Sequence, residues 1–186
     1  MRSFLKCSIP LLLLTSFSAC KQPPAPAAPG WKEELKAAMP LMGHRNWIVV
    51  ADQAFPAQNT PGITYINTNE NLAPVLEEVI SAVKASGYVK PVFYQDKELA
   101  FITEDAAPGV AALSAKVLKL MEGAPVQSML HDSVFTRLDA AATQFRVLVL
   151  KTNERIPYSS VLLQLDCAYW SAEKEAALRA KMAVAK

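Results

Sequence analysis

Gly43-His44-Arg45-Asn46-Trp47-Ile48-Val49-Val50-Ala51-Asp52-Gln53-Ala54-Phe55-Pro56 is the stretch on which the reading of this chain turns. Trp47 to Ala51 is an unbroken apolar run between two polar turns, the pattern of a short β-strand covered on both faces. One imidazole, His44, and one carboxylate, Asp52, stand at or just beyond its opposite ends. Those two groups are the minimal equipment for proton transfer near neutral pH. A six-residue strand spans roughly 20 Å, so the pair cannot touch within one extended segment. It lines two sides of a pocket or acts in neighbouring subunits. Each group also has a simpler reading: His44 as part of a capping turn after a helix, and Asp52 as the acceptor of its own turn.

Outward from this strand, helical and strand patterns alternate. Trp31 to Met42 has helical spacing, made irregular at its last turn by Pro40. Asn46 to Ala51 and Ile63 to Asn67 read as strands, and Leu72 to Ala85 as an amphipathic helix, with Asn71 as N-cap and Gly87 beyond its end. Val89 to Tyr94 and Glu98 to Ile102 are strand candidates, the first assigned to the periphery of a sheet by Pro91. A helix opens at Pro108 and runs to Glu122 before Gly123; Val126 to Leu130 is a short strand and Ser133 to Ala142 a helix. Phe145 to Lys151 and Ser160 to Leu165 are the most hydrophobic strand patterns, joined through Thr152 to Tyr158, where Glu154 and Arg155 read as a solvated hairpin pair. Ser171 caps a last helix rich in Glu and Ala. The alternation predicts an α/β fold: a three-layer sandwich with a central, mostly parallel or mixed sheet flanked by helices.

Residues 1–19 read as a lipoprotein signal peptide, with Arg2 and Lys6 before the apolar run Ile9 to Leu14 and the small residues Ser18 and Ala19 directly before Cys20. The expected mature N-terminus is an acylated Cys20, and several acyl chains give stable membrane anchoring where one does not. Lys21 in place of a retention Asp favours the outer membrane of a bacterial cell envelope, facing the periplasm. Residues 20–30 form a Pro- and Ala-rich tether, residues 31–168 the folded domain and residues 169–186 a C-terminal helical extension.

The loss of Arg2 and Lys6 with the signal leaves as many basic as acidic residues, with no basic aromatic stripe, which argues against nucleic acid as a partner. With Cys7 in the signal and Cys20 acylated, Cys167 has no intramolecular disulfide partner. No Cys or His cluster has zinc spacing, so no metal is expected. His131, beside Asp132, reads either as a helix cap or as a functional group, and Tyr158 as a packing aromatic or a sugar-facing hydroxyl.

Taken together, Gly43-His44-x-x-x-Ile48-Val49-Val50-Ala51-Asp52-x-x-Phe55-Pro56 and the distant Lys151-Thr152-Asn153-Glu154-Arg155-x-Pro157-Tyr158-Ser159-Ser160-Val161-Leu162-Leu163 resemble the ribose pyranase and fucose mutarotase (RbsD/FucU-like) family. That family carries a Gly-His turn, a hydrophobic strand ending in Ala/Cys-Asp, then Phe/Leu-Pro, and near its C-terminus a Tyr-Ala/Gly-Asn-Ile-Ile/Leu-Leu strand. The resemblance implies interconversion of the cyclic forms of a free monosaccharide, of ribose or fucose type, without metal or organic cofactor. It also implies a ring-shaped homo-oligomer with sites between subunits. His44 falls on the family's active-site histidine and Asp52 on its aspartate. Tyr158 falls on a tyrosine that completes the pocket of an adjoining subunit.

Some positions depart from the pattern. Tyr-x-Asn has become Tyr158-Ser159-Ser160, which leaves Ser160 where the sugar-binding amide stands, and His131 lies near the family's second histidine, displaced by a residue or more. The resulting expectation is a membrane-tethered, mutarotase-like isomerase with His44 and Asp52 as catalytic residues and Tyr158, Ser160 and His131 binding the sugar. The alternatives are a non-catalytic sugar-binding or structural envelope lipoprotein on the same scaffold, and an assembly factor that docks through its last helix.

Overall fold

The computed structural model describes residues 30–184. The expected signal peptide, the acylated Cys20 and the tether up to residue 29 lie outside the described residues. Six strands form one mixed sheet: β1 (Trp47–Ala51), β2 (Ile63–Asn67), β3 (Val89–Asp96), β4 (Val126–Met129), β5 (Val147–Lys151) and β6 (Val161–Cys167), in the spatial order β2-β5-β1-β6-β3-β4. β2, β5 and β1 are mutually parallel, β3 and β4 are parallel, and β6 runs antiparallel to both β1 and β3. Five strands therefore share one direction, with a single reversed strand between them.

Two apolar layers cover this sheet. Ile48, Val50, Leu148, Leu150, Val161 and Leu163 face one side, where α1 (Trp31–Ala38), α2 (Leu72–Ser86) and α3 (Val110–Leu120) pack through residues such as Leu35, Leu76 and Val117. Trp47, Val49, Val147, Val149 and Leu162 face the other side, against Val134, Leu138 and Ala142 of α4 (His131–Ala142). Period-two alternation with both faces apolar accounts for the continuous hydrophobic runs of β1 and β5. The end of α4 comes so close to the start of β2 that a Cβ on Gly62 would lie 2.0 Å from the carbonyl oxygen of Ala142. Only glycine fits there.

Several expectations are corrected. Glu98 to Ile102 is not a strand but part of a 3-10 turn over Lys97–Phe101. β3 is interior rather than peripheral despite Pro91, because β4 pairs only with Phe93 to Asp96. The Phe93 N–H reaches Pro125 on the β4 side at 2.9 Å, and alternate residues face the same way. Pro91 thus turns its missing donor toward a stretch where β4 has not yet begun. β5 and β6 form no hairpin, since β1 lies between them. Asn71 occupies the cap position of α2 without a side-chain hydrogen bond, α3 starts at Val110 rather than Pro108, and α4 starts at His131 rather than Ser133. The last helix, α5 (Ala172–Val184), buries none of its residues, and the Ser171 hydroxyl accepts a hydrogen bond from the Lys174 N–H at its start.

Candidate functional site

Because β6 runs against the other five strands, its first residues meet the carboxyl ends of β1 and β3, with the end of β4 beside that of β3. This edge of an α/β sheet is where backbone groups open outward and ligands bind. Asp52 follows β1 here. It is almost wholly buried; one carboxylate oxygen, Oδ1, accepts the Ala54 N–H at 2.9 Å and the other, Oδ2, the Ser160 hydroxyl at 2.8 Å. Ser160 Oγ in turn accepts the Asp52 N–H at 3.0 Å, which locks the strand end to the start of β6. The turn-acceptor reading of Asp52 is therefore correct, and the same side chain also stands in the cluster.

Asp96 ends β3 and is the residue that sequence reasoning missed. Its Oδ2 lies 2.8 Å from Nδ1 of His131, the first residue of α4, and its Oδ1 is buried without a hydrogen-bond partner. Burial pushes the Asp96 carboxyl up to about 6, against the hydrogen bond and charge of His131, and the charges of Glu98 and Asp52 push the same way. Glu98 uses both carboxylate oxygens, each at 3.1 Å, to accept the backbone N–H of His131 at the helix start. An anion there satisfies an orphan donor and suits the helix dipole. Two aromatic rings fix the imidazole edge-on, Phe135 at 4.9 Å and Tyr158 at 5.0 Å between ring centroids. Tyr158 adopts a left-handed backbone (φ 60°), uncommon outside glycine, to bring its ring there. The loop that carries it is tied to the Asp52 turn, with Gln53 N–H donating to the Glu154 carbonyl at 2.7 Å and Arg155 Nε to Gln53 Oε1 at 2.9 Å.

The chemistry available follows from the dyad. An ionised Asp96 accepts the Nδ1–H of His131 and fixes the tautomer whose other nitrogen, Nε2, carries a lone pair. That nitrogen can take a proton from a ligand hydroxyl and return it elsewhere. Among the described residues no group of three or more His, Cys, Asp or Glu side chains is placed to hold a metal ion.

His44 is not part of this cluster. It precedes β1, and five strand residues put about 16 Å between the two edges of the sheet. At its own edge His44 is half exposed, with Nδ1 3.7 Å from Asp166 Oδ1 and Nε2 accepting from Arg45 Nε at 3.1 Å. Its hydrogen bond is to Arg45 and its other near neighbour is Asp166, with none to a helix carbonyl among the described residues, so the capping reading is replaced. Of the residues singled out in the sequence, Asp52, His131, Tyr158 and Ser160 converge at one edge and His44 stands at the other. An acidic residue closing a strand is the signal that marks Asp96, but it carries weight only once β3 is seen to end beside β1 and β4.

Comparison with known proteins agrees with this architecture. FucU from Bifidobacterium longum superposes with a TM-score of 0.52 at 16% identity, over 72% of this chain and 92% of that one. The fucose mutarotase of Streptococcus pneumoniae, solved in complex with L-fucose, gives 0.51 at 15% identity, over 72% and 91%. Both show the fold. No curated protein matches the sequence. The RbsD / FucU transport protein family matches residues 29–168, and with the six-stranded sheet and its flanking helices this establishes that the chain belongs to that family.

Proposed function

We propose that this protein binds a free monosaccharide of ribose or fucose type and interconverts its cyclic forms by acid–base ring opening, while tethered to the bacterial outer membrane through an acylated Cys20. The observation that carries the reading is the His131–Asp96 pair, held at 2.8 Å beside Tyr158 and Asp52 at the carboxyl edge of the sheet. Family membership and the fold shared with a fucose mutarotase support the choice of ligand. In the forward direction His131 Nε2 takes the anomeric hydroxyl proton while a second acid protonates the ring oxygen. The carbon–oxygen bond of the ring breaks to give the open aldehyde. Rotation and reclosure through the reverse transfers return both protons. Asp52 spends two of its roughly four acceptor positions on Ser160 and Ala54 and keeps the others for sugar hydroxyls. His44 of a neighbouring copy serves as the second acid, since a chain cannot bring its own His44 to its own dyad.

The test is exchange NMR on ribose, fucose and galactose with wild-type, His131→Ala, Asp96→Asn and His44→Ala proteins. The expected result is accelerated interconversion of at least one sugar, lost by about 10²-fold or more in His131→Ala and His44→Ala. Rates equal to buffer for all three sugars overturn the enzymatic reading. One observation favours binding without turnover as the second reading: the Ser160 hydroxyl is already donated to Asp52, so the position offers a ligand no amide. Ligand line broadening without exchange is its signature.

A further inference from the structure

The His44 edge carries a feature that the proposed chemistry does not use. Residues 169–184 follow the stretch matched by the family, and they raise a wall beside His44. Between this wall and the end of β6 lies a groove of about 600 Å³, lined by His44, Arg45, Asp166, Tyr169, Trp170 and Glu175. That volume lies within the range of small-molecule sites, about 300–1,000 Å³. The two aromatic rings are not core: Tyr169 is 71% exposed and Trp170 41%. Nor is the indole loose, for its Nε1 donates to Glu175 Oε2 at 2.9 Å and Glu175 is itself held by Arg179 at 2.7 Å. Arg45 holds a left-handed backbone (φ 74°), unusual for a long side chain, at the groove's rim.

We propose that this groove is a second saccharide subsite, which lets the protein hold a reducing disaccharide more tightly than the monosaccharide at its reducing end. The proposal rests on the reading of the protein as a sugar-binding mutarotase and extends it. A pyranose ring presents a face of C–H bonds flanked by hydroxyls. It is met by an aromatic plane with charged hydrogen-bonding groups at its margin. Trp170 and Tyr169 supply the planes, and Arg45, Asp166 and Glu175 supply the margin. Their place beside His44 sets the geometry: the reducing ring sits where His44 acts, and the next ring lies along the groove.

The experiment is saturation-transfer NMR and titration of the full-length protein with glucose and galactose against maltose, cellobiose, lactose and melibiose, using wild-type, Trp170→Ala, Trp170→Phe and Tyr169→Ala proteins. At least one disaccharide is expected to bind about fivefold or more tighter than its reducing-end monosaccharide. Saturation should reach its non-reducing ring, and the advantage should vanish in Trp170→Ala and persist in Trp170→Phe. Monosaccharide exchange by the wild-type protein is measured in parallel, and acceleration there without any disaccharide advantage separates failure of this subsite from failure of the mutarotase reading. No advantage for any of the four disaccharides, or an advantage that survives both alanine substitutions, overturns the proposal. Unchanged thermal melting of the variants excludes misfolding as the cause of a loss.

Discussion

His131 Nδ1 and Asp96 Oδ2 are 2.8 Å apart, although the residues are separated by 35 positions and arrive on different elements, the carboxylate at the end of a strand and the imidazole at the start of a helix. The carboxylate is almost wholly buried, with one oxygen spent on the imidazole and the other without a partner. The pair is the only buried carboxylate–histidine contact among the described residues.

The Asp96 carboxyl makes stability depend on pH in a defined direction. Its folded-state value of about 6 lies above the ordinary 3.8, so the folded protein binds this proton more tightly than the unfolded chain does. The contribution is full below about pH 4 and is lost as pH rises through about 6, by on the order of 3 kcal/mol in all. The Asp96→Asn protein lacks this loss. Urea midpoints measured from pH 4 to 7 should show the variant gaining on wild type as pH rises; parallel curves would refute the assignment.

Ser160 is predicted to matter for stability as well as for ligand binding. Ser160→Ala leaves Asp52 Oδ2 and the Asp52 N–H, both now bonded to the hydroxyl, without that partner in a buried position. A loss of about 1–3 kcal/mol is expected. Thermal melting should fall by several degrees, and an unchanged midpoint would show that water replaces the hydroxyl at no cost.

Separation of His44 from the dyad predicts complementation between inactive proteins. His44→Ala and His131→Ala proteins are each expected to be inactive, but subunits unfolded and refolded together should regain part of the sugar-exchange rate. Some interfaces in the mixture pair an intact His44 with an intact dyad. No recovery, with mixed oligomers demonstrated by mass, would place both histidines in independent roles.

Cys20 is expected to carry the membrane anchor. The wild-type protein should incorporate labelled palmitate and fractionate with membranes, whereas Cys20→Ala should do neither. Soluble wild-type protein without label would contradict the anchor.

The sheet was legible from local pattern because β1, β5 and the start of β6 are short apolar runs between turns, and the buried runs of Trp47 to Ala51 and Val147 to Leu150 left little choice of class. What local pattern misjudged depended on neighbours. Pro91 suggests an edge strand until the late start of β4 is known, and Glu98 looks extended although its carboxylate folds back to cap His131. The site was half legible. Asp52, Tyr158 and His131 stood out by residue type and turn context, but Asp96 could not, since nothing within ten residues of it shows that a histidine 35 positions later will meet it. His44 was correctly placed apart from Asp52 by strand length alone.

The reversed strand β6 has a consequence for how the molecule comes into being. It is the last of the described strands in chain order, yet it lies between β1 and β3. Until Val161 to Cys167 are available, β2-β5-β1 and β3-β4 are two separate part-sheets, each with an open edge facing the other. Closing them requires contacts of long sequence separation, such as Val50 with Val161, which slow folding. The sheet therefore stays incomplete until Val161 to Cys167 have been made, with β6 acting as the wedge that joins the halves and completes both ends of the sheet in one step.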